Sequence, residues 1–286
     1  VWLQGVDSQS TLLRVAVSDS TNAFYDVSAA SDRTGLAIYD LSIENMWNGI
    51  EWTNVDNGGI RRVRVQTCNN NGIIFLSAAT GSDNNVVSDN EVSGIAQNAV
   101  VISSSNSNTL SNNVLFDNLS DGFYLTSTSQ SNILASNLCR NGQGIGFVLT
   151  GSAGGNVLRH NRSFDNRQHG FKVTGNSGSS SFYQNTADSN AGYAFYLDNS
   201  STGDTFQKNN LRPSAGNPDS GLHNGITSSN VRVSFIRNDW NSTDTGRIKQ
   251  MIYQVPGADS VIWQPFRFAA ADTASGADTT APKSPD

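Results

Sequence analysis

Apolar positions along this chain alternate with polar ones over short runs, and the runs themselves return at a fixed interval. From Gly146, Phe147 and Leu149 alternate with Val148 and Thr150, a period of two that predicts a half-buried strand. The strings GFYLT, GFVLT, GFKVT and AFYLD begin at Gly122, Gly146, Gly170 and Ala194, each 24 residues after the last. Six asparagines, Asn90, Asn113, Asn137, Asn161, Asn185 and Asn209, stand 23, 24, 24, 24 and 24 apart. Three residues before them run Val87, Leu110, Leu134, Leu158, Phe182 and Phe206; two after run Val92, Leu115, Cys139, Ser163, Ala187 and Leu211. A fixed period in this range means one supersecondary unit stacked on itself. Each coil is too short for helices, so two or three short strands wound parallel are expected. The fold class predicted is all-β, a right-handed parallel β-helix, because parallel crossovers take that hand. The asparagines read as a structural ladder at a bend, their amides bonded to one another and to backbone.

The coils are expected over residues 1–237. The segment NDWNSTDTGRIKQMIYQVPGADSVIWQPF breaks the repeat and predicts a C-terminal cap over 238–268. Within it Arg247, Ile248, Met251 and Ile252 suggest a short amphipathic helix and VIWQPF a last strand. Open solenoid ends need such cover. Residues 269–286 are a polar Ala/Thr/Pro tract of linker character, expected to lead to another module or an anchor. The opening VWLQGVDSQSTLLRV already reads as strand, so a leading segment is expected ahead of it.

Composition narrows the class. The chain has 286 residues, 36% of them hydrophobic, enough to bury a sizeable core. It is rich in Asn, Ser, Thr and Gly and holds only four lysines, which suits a secreted or cell-surface β protein. No run reaches the length of a membrane span. A net charge of −6 argues against nucleic acid or anionic membranes as partners. Cys68 and Cys139 are read as buried thiols in one inward column, three coils and roughly 14 Å apart, beyond disulfide reach.

The coils over roughly 34–237 resemble the parallel β-helix repeat superfamily of secreted carbohydrate-active proteins. The stretch SFDNRQHGFKVTGNSGSSSFYQNTADSNAGYAFYL is similar to coils of polysaccharide lyase family nine. That resemblance implies a lysine in the Gly-Phe-Lys strand as proton-abstracting base, here Lys172. It also implies calcium held by clustered aspartates. The nearest equivalent, Ser120-Asp121-Gly122-Phe123-Tyr124, keeps one of three acids, so Asp121 is the candidate metal ligand and arginine would have to neutralise charge in place of calcium.

Comparing equivalent outward positions isolates unusual residues. The middle position of the Gly-Phe-x-Leu strand reads Glu51, Ile74, Val101, Tyr124, Val148, Lys172, Tyr196, Thr227. The position before the glycine reads Asn48, Asn71, Asn98, Asp121, Ile145, His169, Tyr193, Asn224. Lys172 thus falls beside His169, Tyr193 and Tyr196. Cations concentrate in the same coil as Arg159, His160, Arg162, Arg167, His169 and Lys172, with Tyr183 near Arg159. Exposed rings suit sugars and the arginine fork suits carboxylates, so an acidic polysaccharide is the expected partner. In a uronate polymer a base removes the proton at C5, a cation steadies the enediolate and O4 departs by β-elimination. The expected roles are Lys172 as base, Arg159 and Arg162 as neutralising cations, and His169 or Tyr196 as proton donor. Tyr124, Tyr183, Tyr193, Tyr196, His160 and Arg167 are the expected sugar contacts.

Three alternatives stand beside this lyase. A uronan C5-epimerase would share the first step, but the Tyr-Gly-x-Asp-Pro-His type motif of mannuronan C5-epimerases is absent. A glycoside hydrolase would need a carboxylate pair, with Asp165, Asp188 and Asp198 as candidates. A binding or surface module would use the solenoid as a contact surface without chemistry.

Overall fold

In a computed structural model the chain is described at residues 2–4, 12–14, 24–27 and 33–264, apart from 79, 199–201, 228–232, 257 and 259–260. The predicted all-β parallel β-helix is present. Among these residues, three long parallel sheets of eleven, nine and ten strands, here A, B and C, take successive strands of each coil, and a small fourth sheet pairs Arg33–Thr34 with Val55–Asp56. One coil shows the plan: Val157–Arg159 lies in A, Arg162–Phe164 in B and Phe171–Val173 in C.

The corners follow from single residues. His160 and Asp165 sit at φ 55 and 51, in the left-handed region, and turn the chain from A to B and out of B. Polar residues that tolerate this conformation hold the equivalent A-to-B corners: Asp89, Asn112, Ser136 and Gln184, at φ 59, 56, 57 and 52. The asparagine after each corner closes the bend. Asn161 Oδ1 accepts from the backbone N–H and the Nδ2 of Asn137, both at 3.0 Å, while its own Nδ2 donates to the Leu134 carbonyl at 2.8 Å. The column runs unbroken from Asn90 to Asn209 and gains Asn238. Further amide ladders join Asn108, Asn132 and Asn156 between C and A, and Asn166 and Asn190 between B and C.

Between the sheets two rows of phenylalanine stack along the axis. Phe123, Phe147, Phe171 and Phe195 stack 5.2, 4.8 and 4.9 Å apart with nearly parallel rings, and Phe182 and Phe206 lie 4.8 Å apart. Phe171 meets Phe182 edge to face at 6.2 Å. All six are buried, and truncating one would cost about 3–5 kcal/mol.

Two expected registers are corrected. Val65, not Cys68, pairs with Val92, because the coil from Val65 to Val92 spans 27 residues instead of 24. Cys68 therefore lies in the corner after sheet B rather than in the Cys139 column; both thiols are free and buried. At the other end Tyr196 pairs with His223, not Thr227, because Leu222 rather than Ile226 fills the inward place of Phe195. Ser220 then occupies the place given to Asn224.

Within the segment expected as a cap, helix α1 is Thr245–Gln250, with Asp244 capping its start and Ile248 buried. Met251 and Ile252 lie past its end, where Ile252–Gln254 joins sheet C, and Val261–Ile262 joins sheet A. Trp240 is fully buried. The expected linker 269–286 lies outside the described residues.

One ladder ends in an acid. Ser180 Oγ accepts from Asn156 N, and Asp204 Oδ1 accepts from Ser180 N at 2.8 Å, but Asp204 Oδ2 is buried without a partner. Burial pushes the Asp204 carboxyl up to about 7, opposed by the Ser180 N–H bond. The folded state therefore holds this proton more tightly than the unfolded chain, and stability falls as pH rises from about 4 through about 7. Thermal melts of the parent are expected to drop between about pH 4 and pH 7. Asp204→Asn should flatten that drop and raise the melting temperature at pH 8; an unchanged pH slope would contradict the assignment.

Candidate functional site

Sheet C presents an outward column that the register fixes as Glu51, Ile74, Val101, Tyr124, Val148, Lys172, Tyr196, His223 and Tyr253. Inward-facing Phe171 and Val173 are buried on either side of Lys172, so the strand's alternation alone turns the ammonium outward. Below it Val148 and Ile145 are buried and apolar. Above it the lysine Nζ stands 5.4 Å from the centre of the Tyr196 ring.

The rings above Lys172 form one stack along the axis. His169 lies on Tyr196 at 4.5 Å, Tyr196 on His223 at 4.1 Å and His223 on Tyr253 at 5.0 Å. Tyr193 meets His223 edge-on at 5.2 Å. Both faces of Tyr196 are covered by rings, His169 on one side and His223 on the other. Burial raises its phenol, with Asp198 and Tyr253 adding to the effect, which keeps the hydroxyl protonated. Burial raises Tyr193 likewise, followed by Tyr253 and Tyr196.

His169 is fixed by the scaffold. Its Nδ1 accepts from the backbone N–H of Tyr193 at 2.9 Å. An acceptor Nδ1 carries no hydrogen, so the neutral ring bears its proton on Nε2. Burial lowers this imidazole to about 4, with Lys172 and His223 pushing the same way, and it stays neutral at pH 7. The position is one of a series. Asn48, Asn71 and Asn98 accept from the next coil's N–H with Oδ1, and Asp121 does so toward Ile145 at 2.7 Å.

The arrangement brings together Lys172, His169, Tyr193 and Tyr196, and adds His223, which the sequence reading passed over. The signal was there: His223 is one of three histidines and follows a Gly-Leu pair, as Lys172 follows Gly-Phe. Tyr124 lies in the same column two coils below Lys172, across Val148.

Five expected partners lie off the sheet C floor. Arg159 and Tyr183 pair on sheet A, with His160 at the A-to-B corner 6.3 Å from the Tyr183 ring. Arg162 is on sheet B, over Phe164 at 4.7 Å and 3.6 Å from Asp188. The cause is the corner itself, which carries residues three apart in sequence onto different sheets. Arg167 is exposed in the turn leading from B to C.

The hydrolase carboxylates are also dispersed. Asp165 is a corner residue, Asp188 is held by Arg162 and Arg212 on sheet B, and Asp198 lies on the C side, accepting from Thr174 at 3.1 Å. Among the described residues no three His, Cys, Asp or Glu side chains gather to hold a metal. Asp121 spends an oxygen on Ile145, and burial pushes its carboxyl up, opposed by that bond and by Lys172. One carboxylate does not meet the six or more oxygens that calcium takes.

Residues 27–187 match the family model described as the right handed beta helix region. In fold the chain is similar to the A-module of the Azotobacter vinelandii mannuronan C-5 epimerase AlgE4, with a TM-score of 0.70 and 14% identity over 94% of this chain and 82% of that one. The AlgE6 A-module from the same organism gives 0.67 and 16% over 94% and 80%. The periplasmic alginate epimerase AlgG gives 0.55 and 19% over 81% of this chain and 49% of that one, so the chain spans about half of that protein. At such identities the likeness is one of fold. No curated protein matches the chain in sequence.

Because asparagine fills the His169 place in three other coils, His169→Asn should keep the acceptor for Tyr193 N and melt close to the parent. His169→Leu leaves that N–H unpaired, at a cost of about 1–3 kcal/mol, and should melt several degrees lower. Equal melting temperatures for the two variants would remove the scaffold role.

Proposed function

The chain belongs to the right-handed β-helix family, and we propose that it is an enzyme that cleaves a uronate-containing polysaccharide by β-elimination on the sheet C floor around Lys172. The observation that carries this reading is the grouping of one ammonium, a protonated phenol and imidazoles on a single wall beside apolar Val148 and Ile145. Proton abstraction next to a carboxylate needs a cation for the developing enediolate and a donor for the departing oxygen.

An ammonium can neutralise a carboxylate, or once deprotonated accept a proton, but not both at once. With Arg159 and Arg162 on sheets A and B, the neutralising role falls to Lys172. Tyr196 supplies the proton to O4. All these groups rise from one floor, which suits removal of hydrogen and leaving group from the same side of the sugar. C5 epimerisation would need delivery to the opposite face. The similarity of fold to proteins named as mannuronan and alginate epimerases is consistent with a polyuronate as the class of substrate. A secreted or cell-surface location accompanies that substrate, and no helix among the described residues is long and apolar enough to cross a membrane.

A panel of polyuronates (alginate, pectate, glycosaminoglycans and bacterial exopolysaccharides) read at the ultraviolet absorbance of the unsaturated product tests this. Lys172→Ala should lose about 10²–10³-fold in rate, as removal of one transition-state contact does. Lys172→Arg should keep a measurable part of the activity, since arginine holds its charge but never becomes a base. An inactive arginine variant of native fold would make the lysine the base. Absence of unsaturated product on every polymer would end the lyase reading.

A further inference from the structure

His223 sits one coil above Tyr196, completing the column Lys172, Tyr196, His223 at successive steps of about 4.8 Å. Its Nδ1 lies 3.3 Å from the Leu197 carbonyl oxygen, which also accepts from Gly225 N at 2.8 Å. A carbonyl only accepts, so that Nδ1 carries a hydrogen, and in the neutral ring the lone pair is left on Nε2. On the other face of Tyr196, His169 is fixed in the reverse tautomer by Tyr193 N, with the hydrogen on Nε2. Of the two imidazoles that sandwich this phenol, one offers a lone pair and the other offers a proton. The backbone sets both.

We infer that His223 is the catalytic residue that takes the substrate's C5 proton, an assignment that rests on the polyuronate reading above. The C5–H bond gives its proton to His223 Nε2, and its electron pair moves into the carboxyl group as an enediolate beside the Lys172 ammonium. The pair then returns to form the C4=C5 double bond while the C4–O4 bond breaks. O4 takes the Tyr196 hydroxyl proton. The resulting phenolate and imidazolium are reset through solvent, one gaining and one losing a proton, so no water or other reactant is consumed overall. His169, already neutral and bearing Nε2–H, covers the other face of Tyr196 and cannot compete for the proton.

The groups facing His223 among the described residues are Tyr196 from the preceding strand, Tyr253 from the following one and Tyr193 from the turn into sheet C. His169 lies beyond Tyr196 and feels the His223 charge, Lys172 stands one coil further in the column, and Asp198 lies beside Tyr196.

His223→Asn tests the assignment, because the amide N–H can replace Nδ1–H toward Leu197 while nothing replaces Nε2. On whichever polyuronate the parent cleaves, this variant should lose about 10²–10⁴-fold in kcat. The acidic limb of the kcat/KM profile should vanish, and added imidazole should restore part of the rate. In nitrogen-15 spectra of the full chain, with only three histidines, the signal lost in His223→Asn should be the one whose Nδ1 is protonated at pH 8. A variant with native circular dichroism that keeps rate and acidic limb overturns the assignment and leaves the lyase reading standing. So does a His223 spectrum with the hydrogen on Nε2. A parent that makes no unsaturated product on any polymer removes the lyase reading itself and the catalytic assignment with it, whatever the spectra show.

Discussion

Hydrogen bonds that run between coils, parallel to the axis, set every other feature of this molecule. Along the sheets the backbone supplies them. At the corners, where strands stop, side-chain amides take over, as in the column from Asn90 to Asn238. A buried corner without such partners would leave N–H and C=O groups unmet at about 1–3 kcal/mol each. The amides also act as a ruler. Asn161 Nδ2 must reach the Leu134 carbonyl while its Oδ1 reaches the preceding asparagine, so a coil cannot slip by one residue without breaking both contacts.

The candidate site is built from the same device. In the positions leading into sheet C, an Oδ1 of Asn48, Asn71, Asn98 or Asp121 receives the next coil's N–H. His169 performs this task with Nδ1, and the remaining ring nitrogen is left bearing a proton. A scaffold bond that in other coils only closes a turn here selects a tautomer. The Leu197 carbonyl does the converse for His223. In the proposed reaction, chemistry enters through substitutions that preserve the ladder contact and change what faces outward.

The repeat makes part of this legible in the sequence. From Asn90 to Asn209 the spacing is nearly constant, so inward columns such as Leu134, Leu158 and Phe182, and the neighbours of Lys172, are read correctly from counting alone. Where coil length changes, counting fails. The 27-residue steps from Val65 to Val92 and from Phe195 to Leu222 moved Cys68 out of its expected column and hid His223. The faces were harder still. Arg159 and Arg162 are three residues apart, yet the left-handed corner at His160 sends one to sheet A and the other to sheet B. Periodicity tells which residues share a column. It does not tell the angle between columns, which depends on single backbone dihedrals.

That angle divides the positive charge into two populations. On sheet B and its corner with A, Arg140 lies over Phe116, Arg162 over Phe164 beside Asp188, and Lys208 over Tyr183, each settled against a ring or an acid. On the sheet C floor the ammonium of Lys172 lies over the Tyr196 ring, as Lys208 lies over Tyr183, but has buried, apolar Ile145 and Val148 on its other side. Poorly screened surroundings lengthen the reach of such a charge. Under the proposed function, a sugar polymer lying along the axis would meet equivalent positions about every 4.8 Å. Only where Lys172, Tyr196 and His223 follow in succession would it find a cation, a hydroxyl and a lone pair. One coil lower the first of these contacts becomes Val148. Under the proposed function, the periodic scaffold would confine reaction to one register through the very residues that break its periodic chemistry.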